Sequence, residues 1–185
     1  MRGKADNMKR FLIVTDMQKD FIDGALGSKE AQAILTAVGE KISAFDGTCI
    51  VTLDTHTEDY LSTREGRYLP VKHCIRGTDG WKLHETVQRA LDKKGQPYTT
   101  LEKTAFGSPD LPRTLAALAG DEDFCVELIG VCTDICVVSN ALLVKAAFPE
   151  IDIAVDAACC AGVTPEKHLA ALETMKSCQI EILNL

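Results

Sequence analysis

ELIGVCTDICVVSNALLVKAA, residues 127–147, decides how the rest of the chain is read. It continues an apolar run that begins at Phe124, turns at Gly130 and enters a helical pattern with Cys136 in its first turn. A strand, a tight glycine turn and a thiol at a helix N-terminus form a recurrent setting for a reactive cysteine. Free backbone N–H groups and the positive end of the helix dipole both favour the thiolate there. Whether Cys136 is a nucleophile or a small buried residue depends on what the other segments bring to it.

Working outward, apolar runs alternate with helical patterns along the whole chain. Residues 10–16 (RFLIVTD) read as a buried strand ending in a carboxylate, and residues 49–53 as a second, ending at Asp54. Residues 98–102 give a third strand, ending at Lys103. The opening stretch gives the fourth, residues 151–155 a fifth ending at Asp156, and residues 179–183 the last. A helix is expected from Ser28, with Glu30 in its first turn and apolar residues at 31, 34, 35, 38 and 42. Further helices are expected over 81–93, 109–118 and 165–177, the last with Thr164 as N-cap and Pro165 at its first position. This alternation means a parallel sheet with helices on both faces. The expected architecture is one α/β domain over residues 1–185: three α/β/α layers around a doubly wound, mostly parallel sheet of about six strands. Residues 1–9 are expected to be flexible or to lead into the first strand.

Composition narrows the function classes. Hydrophobic residues make up 46% and charged residues 25%, the balance of an ordinary globular protein. The net charge of −7 with scattered basic residues argues against nucleic-acid and anionic-membrane partners. No apolar run approaches the roughly 18–20 residues that span a bilayer. The polar start, MRGKADNMKR, lacks the apolar centre of a secretory signal. Eight cysteines sit largely in apolar runs of a chain with a full-sized core, where thiols pack as small hydrophobes. These features lead to an expectation of a reducing cytoplasm.

Ligands of open α/β sheets bind beyond the carboxyl ends of the strands. Asp16, Asp54, Lys103 and the Gly130–Cys136 turn all fall on that rim. Asp16 alone could cap a helix, and Lys103 alone could be a solvated loop residue. Together, a carboxylate near Cys136 can take the thiol proton and return it to a departing amine. A lysine between them would keep the carboxylate ionised and stabilise the thiolate. The first amides of the helix point where a tetrahedral oxyanion would form. Acyl transfer from an amide or related carbonyl is the chemistry this set describes.

A second polar cluster lies in the irregular segment 55–80, about 25 residues long and too long for an idle connection. Asp54 and His56 share one side of a strand end. With Glu65 and His73 they form a mixed nitrogen and oxygen set that suits zinc, manganese or iron(II). Glu58, Asp59 and Asp79 compete as carboxylate ligands. A polar loop with satisfied histidines is the plainer reading of the same residues.

DMQKDF (16–21), EKTAFGS (102–108), GVCTDICV (130–137) and the closing DAACCAG (156–162) resemble, in order and spacing, the isochorismatase-like cysteine hydrolases and within them the nicotinamidases. The resemblance implies hydrolysis of nicotinamide to nicotinate and ammonia through a thioester, in pyridine-nucleotide salvage, with pyrazinamide as an analogue substrate. It implies Asp16 as general acid and base, Lys103 as catalytic lysine and Cys136 as nucleophile. It places a non-proline cis peptide at Val131–Cys132, which would aim the amides of Cys132 and Cys136 into an oxyanion hole. Asp54, His56, Glu65 and His73 correspond to a divalent metal site, with zinc the first expectation. Phe21, Tyr68, Leu69 and Phe106 are the candidate substrate contacts. Where nicotinamidases carry an aromatic residue and a proline pair before the last histidine, this chain reads Tyr68-Leu-Pro-Val-Lys-His73, so the pocket wall is Tyr68, is lost to Leu69, or comes from elsewhere. A small-molecule amide is the expected partner, and a homo-oligomer is expected from the relatives.

The alternative is a cysteine hydrolase of the same superfamily acting on an acyclic amide, carbamoyl or ureido compound. A vinyl-ether-cleaving isochorismatase does not use the cysteine, and a non-catalytic binding protein would leave the Asp16–Lys103–Cys136 set idle. Outside these residues, Cys132 and Cys136 lack the spacing of a redox pair, Cys159 and Cys160 read as small packing residues after the fifth strand, and Trp81 as a helix anchor. His84 and His168 read as structural, and Thr133 and Asp134 as caps of the Cys136 helix.

Overall fold

A computed structural model describes residues 8–185; residues 1–7, most of the expected N-terminal lead-in, lie outside the described residues. In chain order the elements are β1 (Lys9–Thr15), α1 (Lys19–Ile22), α2 (Lys29–Ala33), α3 (Leu35–Ala44), β2 (Thr48–Asp54), α4 (Arg64–Tyr68), α5 (Glu85–Lys94) and β3 (Thr99–Lys103). There follow α6 (Leu111–Ala119), β4 (Phe124–Val131), α7 (Val138–Ala147), β5 (Ile153–Ala161), α8 (Pro165–Ser177) and β6 (Glu181–Leu183). The strands form one sheet in the order β3-β2-β1-β4-β5-β6, and every pairing is parallel.

Side chains alternate across the strands and so feed two cores. Phe11 and Ile13 of β1 pack with Leu111 and Leu115 of α6, Ala141 and Val144 of α7, and Leu172 and Met175 of α8. Leu12 and Val14 face the other way, onto Ile22, Ala31, Val38 and Ile42 and onto Val87 and Leu91 of α5. The chain winds from β1 out to β3 on one side and from β4 to β6 on the other. The gap between the carboxyl ends of β1 and β4 is therefore the topological switch point. Asp16 follows β1 there, and the Cys136 turn follows β4.

Several boundaries differ from expectation for local reasons. The helix expected from Ser28 is two, broken at Ile34, whose ψ of −7° tightens the turn. The break lets Ala31 on one piece and Val38 and Ile42 on the other reach the same core. Trp81 does not enter a helix: its indole N–H donates to Thr55 Oγ1 at 2.9 Å, and α5 starts only at Glu85. His84 caps α5, its Nδ1 accepting from the Thr86 amide at 3.2 Å. β5 does not end at Asp156. It runs on through Cys159 and Cys160 to Ala161, with a register shift against β4 between Leu128 and Gly130. Lys41 of α3 holds Asp156 at 2.8 Å, which lets a carboxylate sit in mid-strand. Gly130 is not the turn either but the penultimate residue of β4, at φ +117°.

Candidate active site

The motif DMQKDF builds both halves of the rim. Asp16 leaves β1 at φ +49°, and its carboxylate is fully buried. Thr52 of β2 donates to its Oδ1 at 2.6 Å, and the Lys103 ammonium lies 2.7 Å from its Oδ2. Two residues on, Gln18 grips the peptide of Asp54. Its Oε1 accepts from the Asp54 amide at 2.8 Å and its Nε2 donates to the Asp54 carbonyl at 2.9 Å. After two more, Asp20 accepts from the Cys74 amide at 2.7 Å, tying down the residue after His73.

Lys103 ends β3 beside Asp54 in the sheet register. Its ammonium is 3.2 Å from Asp54 Oδ1 and 3.5 Å from Cys136 Sγ, so one buried cation touches both carboxylates and the thiol. Burial lowers its basicity, but Asp16, Cys136 and Asp54 outweigh burial and hold it well above the usual lysine range. Burial raises the Asp16 carboxyl above its ordinary value, and the Lys103 charge only partly offsets that.

Cys136 is 6% exposed. It sits in a π-helical turn, Thr133–Val137, that precedes α7. The Val131–Cys132 peptide is cis. The Cys132 carbonyl accepts from the Ile135 amide at 3.0 Å and the Val137 amide at 3.1 Å, passing over the Cys136 amide between them. Thr133 and Asp134 do not cap the turn. They tie it to α8 and the segment before it instead, through Thr133 Oγ1 to His168 Nδ1 at 2.8 Å and Asp134 Oδ1 accepting from the Val163 amide at 2.9 Å. Burial, then the Asp16 charge, push the Cys136 thiol well above its ordinary value. The surroundings of Cys136 therefore oppose the thiolate expected from a helix start. Lys103 already serves two carboxylates, and a third buried anion beside it would be poorly compensated.

Asp54, His56 and His73 bring their ligand atoms within 4.8 Å of one another. His73 Nδ1 lies 2.8 Å from the Val71 carbonyl, which can only accept, so Nδ1 carries the proton and Nε2 faces the cluster as an electron-pair donor. His56 Nε2 is 2.9 Å from Asp54 Oδ2 but off a hydrogen-bonding direction, a buried ring nitrogen with no hydrogen-bond partner. Such an orphan, with a carboxylate and a second imidazole around it, fits a bound divalent cation. Glu65 Oε1 stands 3.8 Å from both imidazole Nε2 atoms. Its rivals are engaged elsewhere: Glu58 with Lys72 at 2.9 Å, Asp79 with Lys19 at 2.9 Å, and Asp59 with the Thr57 hydroxyl. Burial would raise the Asp54 carboxyl, but the two imidazoles and Lys103 hold it well below the usual carboxylate range.

A cavity of about 780 Å³ opens beside this cluster, with His56 and Glu65 in its wall. Tyr68 and Phe106 both line it, 78% and 50% exposed. Leu69 does not line it; its carbonyl accepts from the Tyr60 hydroxyl at 3.0 Å. Phe21 is also outside it, its ring 5.5 Å from that of His73. Sequence reading missed four residues here: Gln18, Asp20, Thr52 and Tyr60. The spacing of Asp16, Gln18 and Asp20 was the available signal for the first two. Tyr60 is fully buried with its ring 4.6 Å from His56 and 5.0 Å from His73, yet it lies in a segment without periodicity.

Known proteins match this chain over nearly its whole length. The chain is 28% identical over 200 residues to the nicotinamidase/pyrazinamidase of Mycobacterium tuberculosis, covering 94% of this chain and 98% of that protein. The crystal structure of a nicotinamidase/pyrazinamidase from Bacillus subtilis superposes with a TM-score of 0.84 at 28% identity, over 96% of this chain and all of that one. A pyrazinamidase of Pyrococcus horikoshii in complex with zinc gives 0.77 at 28% identity, over 96% of this chain and 99% of that one. The model of the isochorismatase domain matches residues 10–185, and the chain belongs to that family.

Proposed function

We propose that this chain is a metal-dependent amidase that hydrolyses nicotinamide to nicotinate and ammonia. The observation that carries the reading is the position of Lys103, whose ammonium joins the Asp16 carboxylate, the Cys136 thiol and the Asp54–His56–His73 cluster. A thiol, a proton acceptor and a ligand set held by one side chain suit a substrate with a carboxamide at one end and a coordinating nitrogen at the other. The named activities of the relatives support that choice.

Asp54, His56 and His73, with Glu65 at the outer side, would hold a divalent ion, zinc on the likeness to the zinc-complexed pyrazinamidase, and it would supply an electron-pair acceptor for the pyridine nitrogen. In the reaction, Asp16 takes the proton of the Cys136 thiol as sulfur attacks the carboxamide carbon. The amides of Cys132 and Cys136 receive the negative oxygen. The carbon–nitrogen bond then breaks, and Asp16 returns its proton to the departing ammonia. Water, giving a proton to Asp16, attacks the thioester; the carbon–sulfur bond breaks, nicotinate leaves and the thiol is re-formed. The raised Asp16 carboxyl suits a group that must both accept and return a proton.

Ammonia release by the metal-loaded protein, measured with nicotinamide, carbamoylsarcosine and ureidoacrylate, tests the reading. Nicotinamide is the expected substrate. Turnover confined to either acyclic compound would replace this reading with that of a carbamoyl or ureido hydrolase.

A further inference from the structure

The cavity beside the ligand cluster is larger than a single ring with a carboxamide requires. At about 780 Å³ it lies within the range of pockets for drug-sized ligands, roughly 300–1,000 Å³. It shares His56 with the Asp54–His56–His73 cluster and is lined by Glu65, so a ligand seated on that cluster lies beside it.

The outer part has its own chemistry. Tyr68 and Phe106 give it two exposed aromatic walls. Its single basic lining residue is Arg64, at the start of α4. Among the described residues, Arg64 has no ion pair or hydrogen bond, and its guanidinium rests 5.3 Å from the Tyr68 ring centroid. Nearby cations are occupied: Lys72 pairs with Glu58 at 2.9 Å, and Arg67 donates to the Ser62 carbonyl at 2.8 Å. A planar guanidinium braced on an aromatic face, with no carboxylate of its own, is a ready partner for a planar anion.

We propose that the cavity between α4 and residues 104–106 is a subsite for a carboxylate-bearing substituent on the substrate, with Arg64 as counter-charge and Tyr68 and Phe106 as walls. This rests on the amidase reading and extends it: the preferred substrates are aryl carboxamides carrying an acidic chain on a ring carbon, with nicotinamide the minimal member of the class.

The test compares nicotinamide bearing a carboxyalkyl chain on a ring carbon with its neutral hydroxyalkyl counterpart, using the metal-loaded full chain. The expected kcat/KM ratio favours the acid by about three- to fivefold, the upper part of the range for an exposed ion pair. Most of that ratio is expected in KM, declining as salt is raised from 0.05 to about 0.5 M and lost in Arg64→Gln. Calorimetric binding of the same two compounds gives a second measure that does not depend on turnover. An acid preference that is absent, or that survives both salt and Arg64→Gln, overturns the subsite. If no amide is hydrolysed but the acid binds in an Arg64-dependent way, the subsite stands and the amidase reading falls.

Discussion

Lys103 Nζ lies 2.7 Å from Asp16 Oδ2 with both side chains fully buried, so neither charge has water to fall back on. Such a pair is of little net worth against an apolar substitute of similar volume, yet costly to break from one side. Lys103→Met leaves Asp16 and Asp54 facing each other without a cation. We expect it to lower unfolding free energy in urea by roughly 3–5 kcal/mol and turnover by at least about a hundredfold. A change in stability below about 1 kcal/mol would show that the ion pair is not held as described.

Cys136→Ala should abolish turnover while leaving bound metal, measured by elemental analysis, at the wild-type level, because Cys136 is outside the ligand cluster. The thiol's own titration offers a separate check. Its pKa is raised by burial and by Asp16, so the thiolate fraction at neutral pH is lower than for a free cysteine. Alkylation of Cys136 by iodoacetamide, followed by mass spectrometry of the modified peptide, should therefore be slow at pH 7. It should keep rising about tenfold per pH unit past pH 9. A plateau below pH 8 would mean that the thiolate is the resting form.

Much of this arrangement is legible in the chain, for a physical reason. Strands of a sheet covered on both faces are continuous apolar runs, so the polar residue that stops each one stands out. Asp16 and Asp54 are such residues; Lys103 instead ends the mostly polar edge strand β3, and parallel pairing brings all three onto one rim. What is not legible depends on contacts made across the fold. Gly130 looks like a turn until the register with Thr15 is known. The Cys136 amide and thiol depend on a π-helical turn for which the sequence offers no period. Thr133 and Asp134 have the composition of caps, but α8 and the loop that leads into it lie close enough to claim them. Within residues 55–80 the ligand types, and Glu65 through the family resemblance, could be named from the chain, whereas the lysine and threonine partners that engage Glu58, Asp59 and Asp79 could not.

Gln18 acts on the ligand cluster without joining it. Its amide group spans the N–H and carbonyl of Asp54 and also donates to the Trp81 carbonyl at 2.8 Å. Gln18→Ala leaves these buried groups unpaired and frees Asp54 to rotate. We expect zinc affinity, measured by calorimetric titration of the metal-free protein, to fall about 10- to 100-fold, the usual cost of losing a supporting contact behind a ligand. Folding should be retained, with a loss of about 1–3 kcal/mol for the unpaired groups. Unchanged zinc affinity in a folded Gln18→Ala protein would remove Gln18 from any role at the site.

Gly130 can be tested against a second glycine that shares its backbone problem but not its crowding. At φ +117°, a Cβ on Gly130 would lie 2.1 Å from the Thr15 carbonyl oxygen, inside the β1–β4 pairing that sets the distance from Asp16 to the Cys136 turn. Gly95 closes α5 at φ +66° and has nothing within 4 Å of the same atom. Alanine at Gly95 therefore meets only the left-handed penalty, about 1–2 kcal/mol. Alanine at Gly130 must also push two central strands apart, and the expected loss exceeds about 4 kcal/mol. Gly130→Ala material that still folds should also turn over more slowly than wild type, because the strands carrying Asp16 and Cys136 will have separated, whereas Gly95→Ala should be fully active. Equal losses of stability in the two variants would mean that strain alone, and not the approach of β4 to Thr15, requires glycine at the switch point.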